Sequence, residues 1–373
     1  MEFIDLKKQY EYLKSDIDCE IGKVLSKGHF ILGENVDTFE EELSKYLNVK
    51  NVITCSDGTS ALQLIYMAYN IGKGDVIFCP DMTFIASIEP ACLLGATPVF
   101  CDIDNRTYNI SAESLERQII AVINQGKLNP KAVVAVDFLG NPADYDALNI
   151  ICKKYNLLLI EDAAQGMGAE YKGKKCGSLA DIAATSFFPT KPLGCYGDGG
   201  AVFTNDDNIA NIIRSLRVHG RGIDKYHNIA IGVNSRLDEI QAAVLRVKLK
   251  NLNNEISLRK KVAQYYDDKL IDNYQIPFVM EQCVSSYAQY CIVPKEMGKR
   301  ELIVNKLKEN KIPSILYYPV PLHKLPVFNG IECYDEDFAS STKYSDEHLG
   351  IPFSPYISHD EQKQVVEVMR QAY

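Results

Sequence analysis

Leu157-Leu158-Leu159-Ile160-Glu161-Asp162-Ala163-Ala164-Gln165-Gly166 is the stretch that decides the fold. A continuous apolar run ending in two acids describes a strand buried on both faces, as in a parallel sheet covered by helices. In open α/β sheets ligands collect beyond the carboxyl ends of such strands, which is where Asp162 and Gln165 stand. Runs of similar character occur at 52–55, 76–79, 97–102, 132–137, 182–187 and 200–204. Helical stretches at 17–25, 36–47, 61–68, 88–94 and 145–154 lie before or between them. The alternation predicts an α/β domain built on a mostly parallel seven-stranded sheet with helices on both faces. Beyond Asp238 the pattern changes to a long helix over 239–268, read as the connector into a smaller C-terminal α/β domain. The expected division is 1–245, with an N-terminal helical arm, and 246–373.

Downstream of the decisive strand comes Thr185-Ser186-Phe187-Phe188-Pro189-Thr190-Lys191-Pro192-Leu193-Gly194, then Gly197-Asp198-Gly199-Gly200. The prolines on either side of Lys191 exclude a regular helix or central strand through it. A lysine fixed in a stiff apolar turn loses hydration, which lowers its pKa and makes it a candidate Schiff-base nucleophile. Standing alone, the segment would read first as a surface-loop lysine. Pyridoxal phosphate (PLP) requires a carboxylate that keeps its pyridine nitrogen protonated. Asp162 suits that role, and Gln165 suits a hydrogen bond to the cofactor's phenolic oxygen. An aspartate at a strand-to-helix junction also caps helices and nothing more; the lysine downstream favours the cofactor role.

A third segment, Val52-Ile53-Thr54-Cys55-Ser56-Asp57-Gly58-Thr59-Ser60, runs from a strand through a small polar turn into a helix. That order aims free amides and the positive helix end at a phosphate. No Gly-Lys-Ser/Thr follows, which argues against a nucleotide triphosphatase.

In order and spacing these segments resemble the DegT/DnrJ/EryC1/StrS family of PLP-dependent sugar aminotransferases, which share the aspartate-aminotransferase fold (fold type I). The resemblance extends from Phe3-Ile4-Asp5-Leu6 and Ile31-Leu32-Gly33 to Tyr318-Pro319. It implies that Lys191 bonds the cofactor aldehyde and that Asp162 pairs with the pyridine nitrogen. It also implies that Gln165 faces O3′ and that Gly58, Thr59 and Ser186 hold the phosphate. Phe84, in Asp81-Met82-Thr83-Phe84-Ile85-Ala86-Ser87, looks like the aromatic that stacks on the ring. Asn234, in Gly232-Val233-Asn234-Ser235-Arg236-Leu237-Asp238, matches the asparagine that reaches a neighbouring subunit's phosphate. A homodimer with shared active sites follows from that match.

The wording around Lys191 and Asn234 is most similar to the branch that aminates C3 of UDP-2-acetamido-2-deoxy-3-oxo-glucuronic acid. That resemblance implies a UDP-linked ketosugar, L-glutamate as amino donor and a place in bacterial surface polysaccharide synthesis. Another branch, acting at C4 of UDP- or dTDP-4-keto-6-deoxyhexoses, shares the cofactor residues. A uronate requires a cation near C6, for which Arg221 and Arg236 are candidates. The run Arg217-Val218-His219-Gly220-Arg221-Gly222-Ile223-Asp224-Lys225-Tyr226-His227 is either a loop that clamps a diphosphate or a sugar carboxylate, or a solvated surface. In Tyr317-Tyr318-Pro319-Val320-Pro321-Leu322-His323-Lys324, Tyr318 and His323 are candidates for contact with sugar or uracil. Relatives that lack the lysine dehydrate sugars; Lys191 argues against that class. Regulatory proteins of the fold usually carry an added DNA-binding domain, and none is visible.

Composition agrees. A length of 373 residues is long for one core, and 46% apolar with 24% charged residues is ordinary for a folded protein. A net charge of −9 speaks against nonspecific nucleic-acid binding. Eleven cysteines without a CxxC pair are expected to be buried, reduced thiols of a cytoplasmic protein, and no metal site is expected. Met1-Glu2-Phe3-Ile4-Asp5 is no signal peptide, and no run of apolar residues is long enough for a membrane span.

Overall fold

The computed structural model describes residues 1–224, 226–331 and 337–373. Helices α1 (Leu6–Lys27) and α2 (Glu34–Leu47) open the chain. Strands and helices then alternate. They are β1 (Asn51–Cys55), α3 (Gly58–Ala68), β2 (Asp75–Pro80), α4 (Glu89–Leu93), β3 (Thr97–Cys101), α5 (Ala112–Gln125), β4 (Asn129–Val136), α6 (Tyr145–Tyr155) and β5 (Leu158–Asp162). After the two-residue β6 (Glu170–Tyr171) and β7 (Lys174–Lys175) come β8 (Ile182–Ser186), β9 (Gly200–Thr204) and α7 (Asp207–Leu216). All seven predicted strands enter one sheet, in the order β1-β9-β8-β5-β4-β2-β3. Every pairing is parallel except the two made by β9.

Alternate strand residues feed different cores, which is why the runs are apolar throughout. Ile77, Val134 and Ile160 pack with Leu62 and Ile65 of α3 on one face. Phe78, Val133 and Leu159 pack with Leu115 and Ile119 of α5 and Leu148 of α6 on the other.

Helix α8 (Glu239–Leu270) is continuous over 32 residues. Glu239, at its start, accepts the amides of Gly33 (2.9 Å), Asn35 (3.0 Å) and Val36 (2.9 Å), pinning the N-terminus of α2. Leu245, Leu249, Leu252 and Ile256 of α8 join the core that contains Phe39 and Leu43 of α2. Val262, Ala263, Tyr266 and Leu270 join a separate core. That second core lies under a three-stranded antiparallel sheet of β10 (Tyr274–Gln275), β12 (Tyr290–Pro294) and β13 (Leu349–Ile351). The two-residue β11 (Cys283–Val284) leaves this unit to pair with β6. Helices α9 (Arg300–Glu309), α10 (Ala339–Glu347) and α11 (His359–Gln371) complete the chain.

Some details differ from the sequence reading. Helices α5 and α7 lie outside the predicted stretches, and α3 begins at Gly58 rather than 61. Cys19 faces solvent and Cys92 and Cys283 are half-buried, because their helix or ribbon positions point away from a core; the other described cysteines are buried and all are unpaired. No helix among the described residues is long and apolar enough to cross a membrane.

Candidate active site

The sheet brings three distant segments together. β5 ends at Asp162, opposite Ala184 of β8, and Ser186 closes β8 two residues later. β1 leads into Ser56-Asp57-Gly58 and the N-terminus of α3. Gly58 and Ser186 meet directly: a Cβ at position 58 would sit 2.7 Å from Ser186 Cβ. Asp57 caps α3 by accepting the Ser60 amide at 2.7 Å. The amides of Gly58 and Thr59 have no acceptor among the described residues, so two donors at the positive helix end stay free. Ser186 Oγ accepts the Phe188 amide at 3.2 Å and keeps its own proton to donate.

Asp162 is buried. Its Oδ2 accepts the Ser87 hydroxyl at 2.7 Å and its Oδ1 the Ala164 amide at 3.1 Å. Burial pushes its pKa up, while those two bonds and the charge of Lys191 oppose the rise. Burial pushes the Lys191 amine down, and Asp162 acts in the other direction. The two side chains therefore feel each other's charge, yet they make no ion pair within 4.0 Å. Lys191 Nζ has no hydrogen-bond partner among the described residues, although its backbone amide is tied to the Phe188 carbonyl at 2.8 Å. Lys248 of α8 holds the same turn from below by donating to the Gly194 carbonyl at 2.7 Å.

Gln165 Oε1 accepts the Leu139 amide at 2.7 Å, which fixes its NH₂ group as the outward donor beside the Tyr318 hydroxyl. The Tyr318 ring lies 5.8 Å from Phe84 and 6.1 Å from Phe138. Phe84 is 55% exposed, which leaves a ring face open to stacking. His323 is bound by Asp81: Nδ1 stands 2.6 Å from Oδ2 and its backbone amide donates to Oδ1 at 2.8 Å. Its ring also stacks on Phe338 at 4.4 Å, so the Nε2 edge is what remains to meet a ligand.

The cationic segment divides. Arg221 is exposed and Arg236 half-buried, and neither has a carboxylate partner among the described residues. Arg217 does not belong with them. It caps α7 and turns inward, donating to Glu40 Oε1 at 2.8 Å and the Thr54 carbonyl at 2.7 Å, because a carboxylate shielded by α2 and β1 needs a partner. Lys225 lies outside the described residues. Asn234 is exposed next to Ser235, whose hydroxyl is 2.9 Å from Ser56 Oγ.

The model of the DegT/DnrJ/EryC1/StrS aminotransferase family matches residues 11–370. The chain belongs to that family. This aminotransferase is 43% identical over 358 residues to the UDP-2-acetamido-2-deoxy-3-oxo-D-glucuronate aminotransferase of Pseudomonas aeruginosa, covering 96% of each chain. Its structure is similar to that of a DegT DnrJ EryC1 StrS aminotransferase from Brucella abortus, with a TM-score of 0.97 and 40% identity over 100% of this chain and 99% of that one. NtdA from Bacillus subtilis, solved with bound cofactor PMP, gives a TM-score of 0.89 at 25% identity over 100% of this chain and 85% of that one. The aminotransferase is PLP-dependent and has the fold type I architecture.

The residues present fit that cofactor. Free amides at Gly58 and Thr59, a buried carboxylate at Asp162 and an unpartnered amine at Lys191 are the donors and charges it requires. Bound there, PLP supplies an aldehyde that takes up the amino group and an electron-poor ring that draws off carbanion electrons.

Sequence reading missed the support behind the aminotransferase site. Ser87 sits in the quoted Phe84 segment but is 75 residues from the Asp162 it touches. Asp137 and Glu161 form a fully buried pair with Cys176 behind Asp162, their ligating atoms within 4.8 Å. The Asp137 amide donates to the Asp162 carbonyl at 3.1 Å, and Tyr145 donates to Asp137 Oδ1 at 2.8 Å. Burial pushes Asp137 and Glu161 above the usual carboxylate range, Glu161 also through repulsion from Asp137, so the pair holds a proton more readily than two separate acids would.

Proposed function

We propose that this aminotransferase moves an amino group from L-glutamate to C3 of UDP-2-acetamido-2-deoxy-3-oxo-glucuronic acid in bacterial surface polysaccharide biosynthesis. The observation that carries the reading is 43% identity to the Pseudomonas enzyme of that name over nearly the full length of both chains. In this reading Lys191 Nζ, with its pKa lowered by burial, takes a proton from the donor's Cα and later delivers one to the sugar carbon. Asp162 holds the proton on the ring nitrogen and Gln165 donates to the phenolic oxygen. Gly58, Thr59 and Ser186 bind the phosphate while Phe84 covers the ring. Tyr318 and the Nε2 edge of His323 face the sugar, and Arg221 or Arg236 meets its carboxylate.

The same reading makes the enzyme a cytoplasmic homodimer with shared active sites. Its support is one apolar loop, on which Ile223, Tyr226, Ile229 and Ile231 are 93, 85, 66 and 90% exposed close to Asn234. A second copy covering that loop would remove the side chains from water. It also divides the chain near α8 into the large cofactor domain and the smaller C-terminal one. The test is a coupled assay that offers the 3-keto uronate and 4-keto-6-deoxyhexose nucleotides side by side with glutamate. Amination of the uronate is expected; amination of the deoxyhexose alone would refute the assignment.

A further inference from the structure

A cavity of about 730 Å³ lies apart from the active site, and none of its lining residues is a candidate active-site residue. Its walls come from the β3–α5 connection, from the chain around β10, from the end of β12 and from α10. Arg106, Lys295 and Lys343 line it, and none has a carboxylate partner among the described residues. Glu347 is the one acid of the lining. Unpaired cations gathered on one cavity stand out in a chain of net charge −9. The rest of the wall mixes the aromatic rings of Tyr108, Tyr274, Phe278 and Tyr344 with aliphatic and small polar residues. Arg106 stacks on Phe278 at 3.7 Å, and Tyr108 packs on Tyr344 with ring centroids 4.2 Å apart. Tyr344 is 3% exposed, and its buried hydroxyl has no hydrogen-bond partner.

We propose that this cavity is a second, non-catalytic site for a nucleoside diphosphate. The volume suits a ligand of that size. Phosphate oxygens match Arg106, Lys295 and Lys343, and a flat base matches the tyrosine and phenylalanine faces. The site adjoins the catalytic loops through two contacts. Tyr344 lies 6.0 Å from Phe138, which in turn neighbours Tyr318. Ser341 of α10 donates at 2.6 Å to Asp81, the residue that holds His323. The proposal stands whichever ketosugar the enzyme aminates.

The experiment compares the PLP-loaded wild type with a Lys295→Glu/Lys343→Glu double variant, using UDP as the probe. Hydrogen exchange is followed in segments 271–279 and 339–347, and UDP binding is measured by calorimetry. In the wild type, UDP slows exchange in both segments. In the double variant that protection disappears and the corresponding affinity falls at least about tenfold. Both lysines are exposed, so the variant should keep the wild-type thermal midpoint; Lys343→Ala serves as a milder replacement. Uridine, which lacks the phosphates, should leave the segments unprotected. UDP binding that is the same in both proteins, no UDP-dependent change in the two segments, or equal protection by uridine would overturn the proposal.

Discussion

Replacing Gly58 by alanine tests whether the N-terminus of α3 is a phosphate cradle. The new Cβ would lie 2.7 Å from Ser186 Cβ and 3.2 Å from its Cα. Non-bonded carbons settle at about 3.5–4.0 Å, so the two segments must part by roughly 1 Å. Ser186 is paired with Gly200 of β9 inside the sheet and yields little, so the helix end is what moves. An amide drawn back that far from a phosphate oxygen no longer makes a hydrogen bond. One lost bond to a charged group costs about 1.5–3 kcal/mol, a weakening of roughly 10- to 150-fold in Kd. Overpacking adds about 1–3 kcal/mol of destabilisation to the protein itself. The assay titrates the apoprotein with PLP by visible absorbance, with denaturant unfolding measured in parallel. Gly22→Ala in α1 is the control, since its Cβ would meet nothing within 4 Å. That variant should keep the wild-type Kd and gain up to about 1 kcal/mol. Wild-type PLP affinity in Gly58→Ala would refute the cradle.

Other substitutions probe the same architecture. Lys191→Ala and Lys191→Arg should abolish turnover, because neither offers a neutral amine at that point; residual transamination in either would remove Lys191 from the chemistry. Asp162→Asn should bind PLP poorly and lose about 100-fold or more in turnover, and unaltered kinetics would contradict the pyridinium role. Asp81→Ala strips the acceptor from His323 and Ser341, costs about 3 kcal/mol in urea unfolding and raises the sugar KM while PLP affinity holds. Lys248, lowered by burial from 10.5 to about 8, is neutral in the fold at pH values where the unfolded chain still protonates it. The unfolded state then binds more protons, so wild-type stability rises relative to Lys248→Met by about 3 kcal/mol between pH 8 and 10.5. A flat difference across that window would show that the amine is not buried as a free base.

The strands were legible because a parallel strand covered on both faces must be apolar at every position, and residues such as Leu159 and Ile160 serve opposite cores. Lys191 was legible because prolines mark its turn. Ribbons of two residues, such as β6 and β11, carry no periodicity to read. The Asp81 clamp on His323 joins positions 242 residues apart, and nothing local announces it. Arg217 was misplaced for the same reason: its partner, Glu40, is 177 residues away, and an arginine in a basic run looks solvated until the fold turns it inward.

Helix α8 extends roughly 48 Å at 1.5 Å per residue, with one end embedded in each of two cores. Between Glu239 and Leu270 there is neither proline nor glycine, the usual origins of a sharp kink. The rod therefore works as a strut rather than a joint. Any movement of one core relative to the other must bend it elastically, through small angles shared along its length. The strut thereby holds the two cores at a fixed spacing.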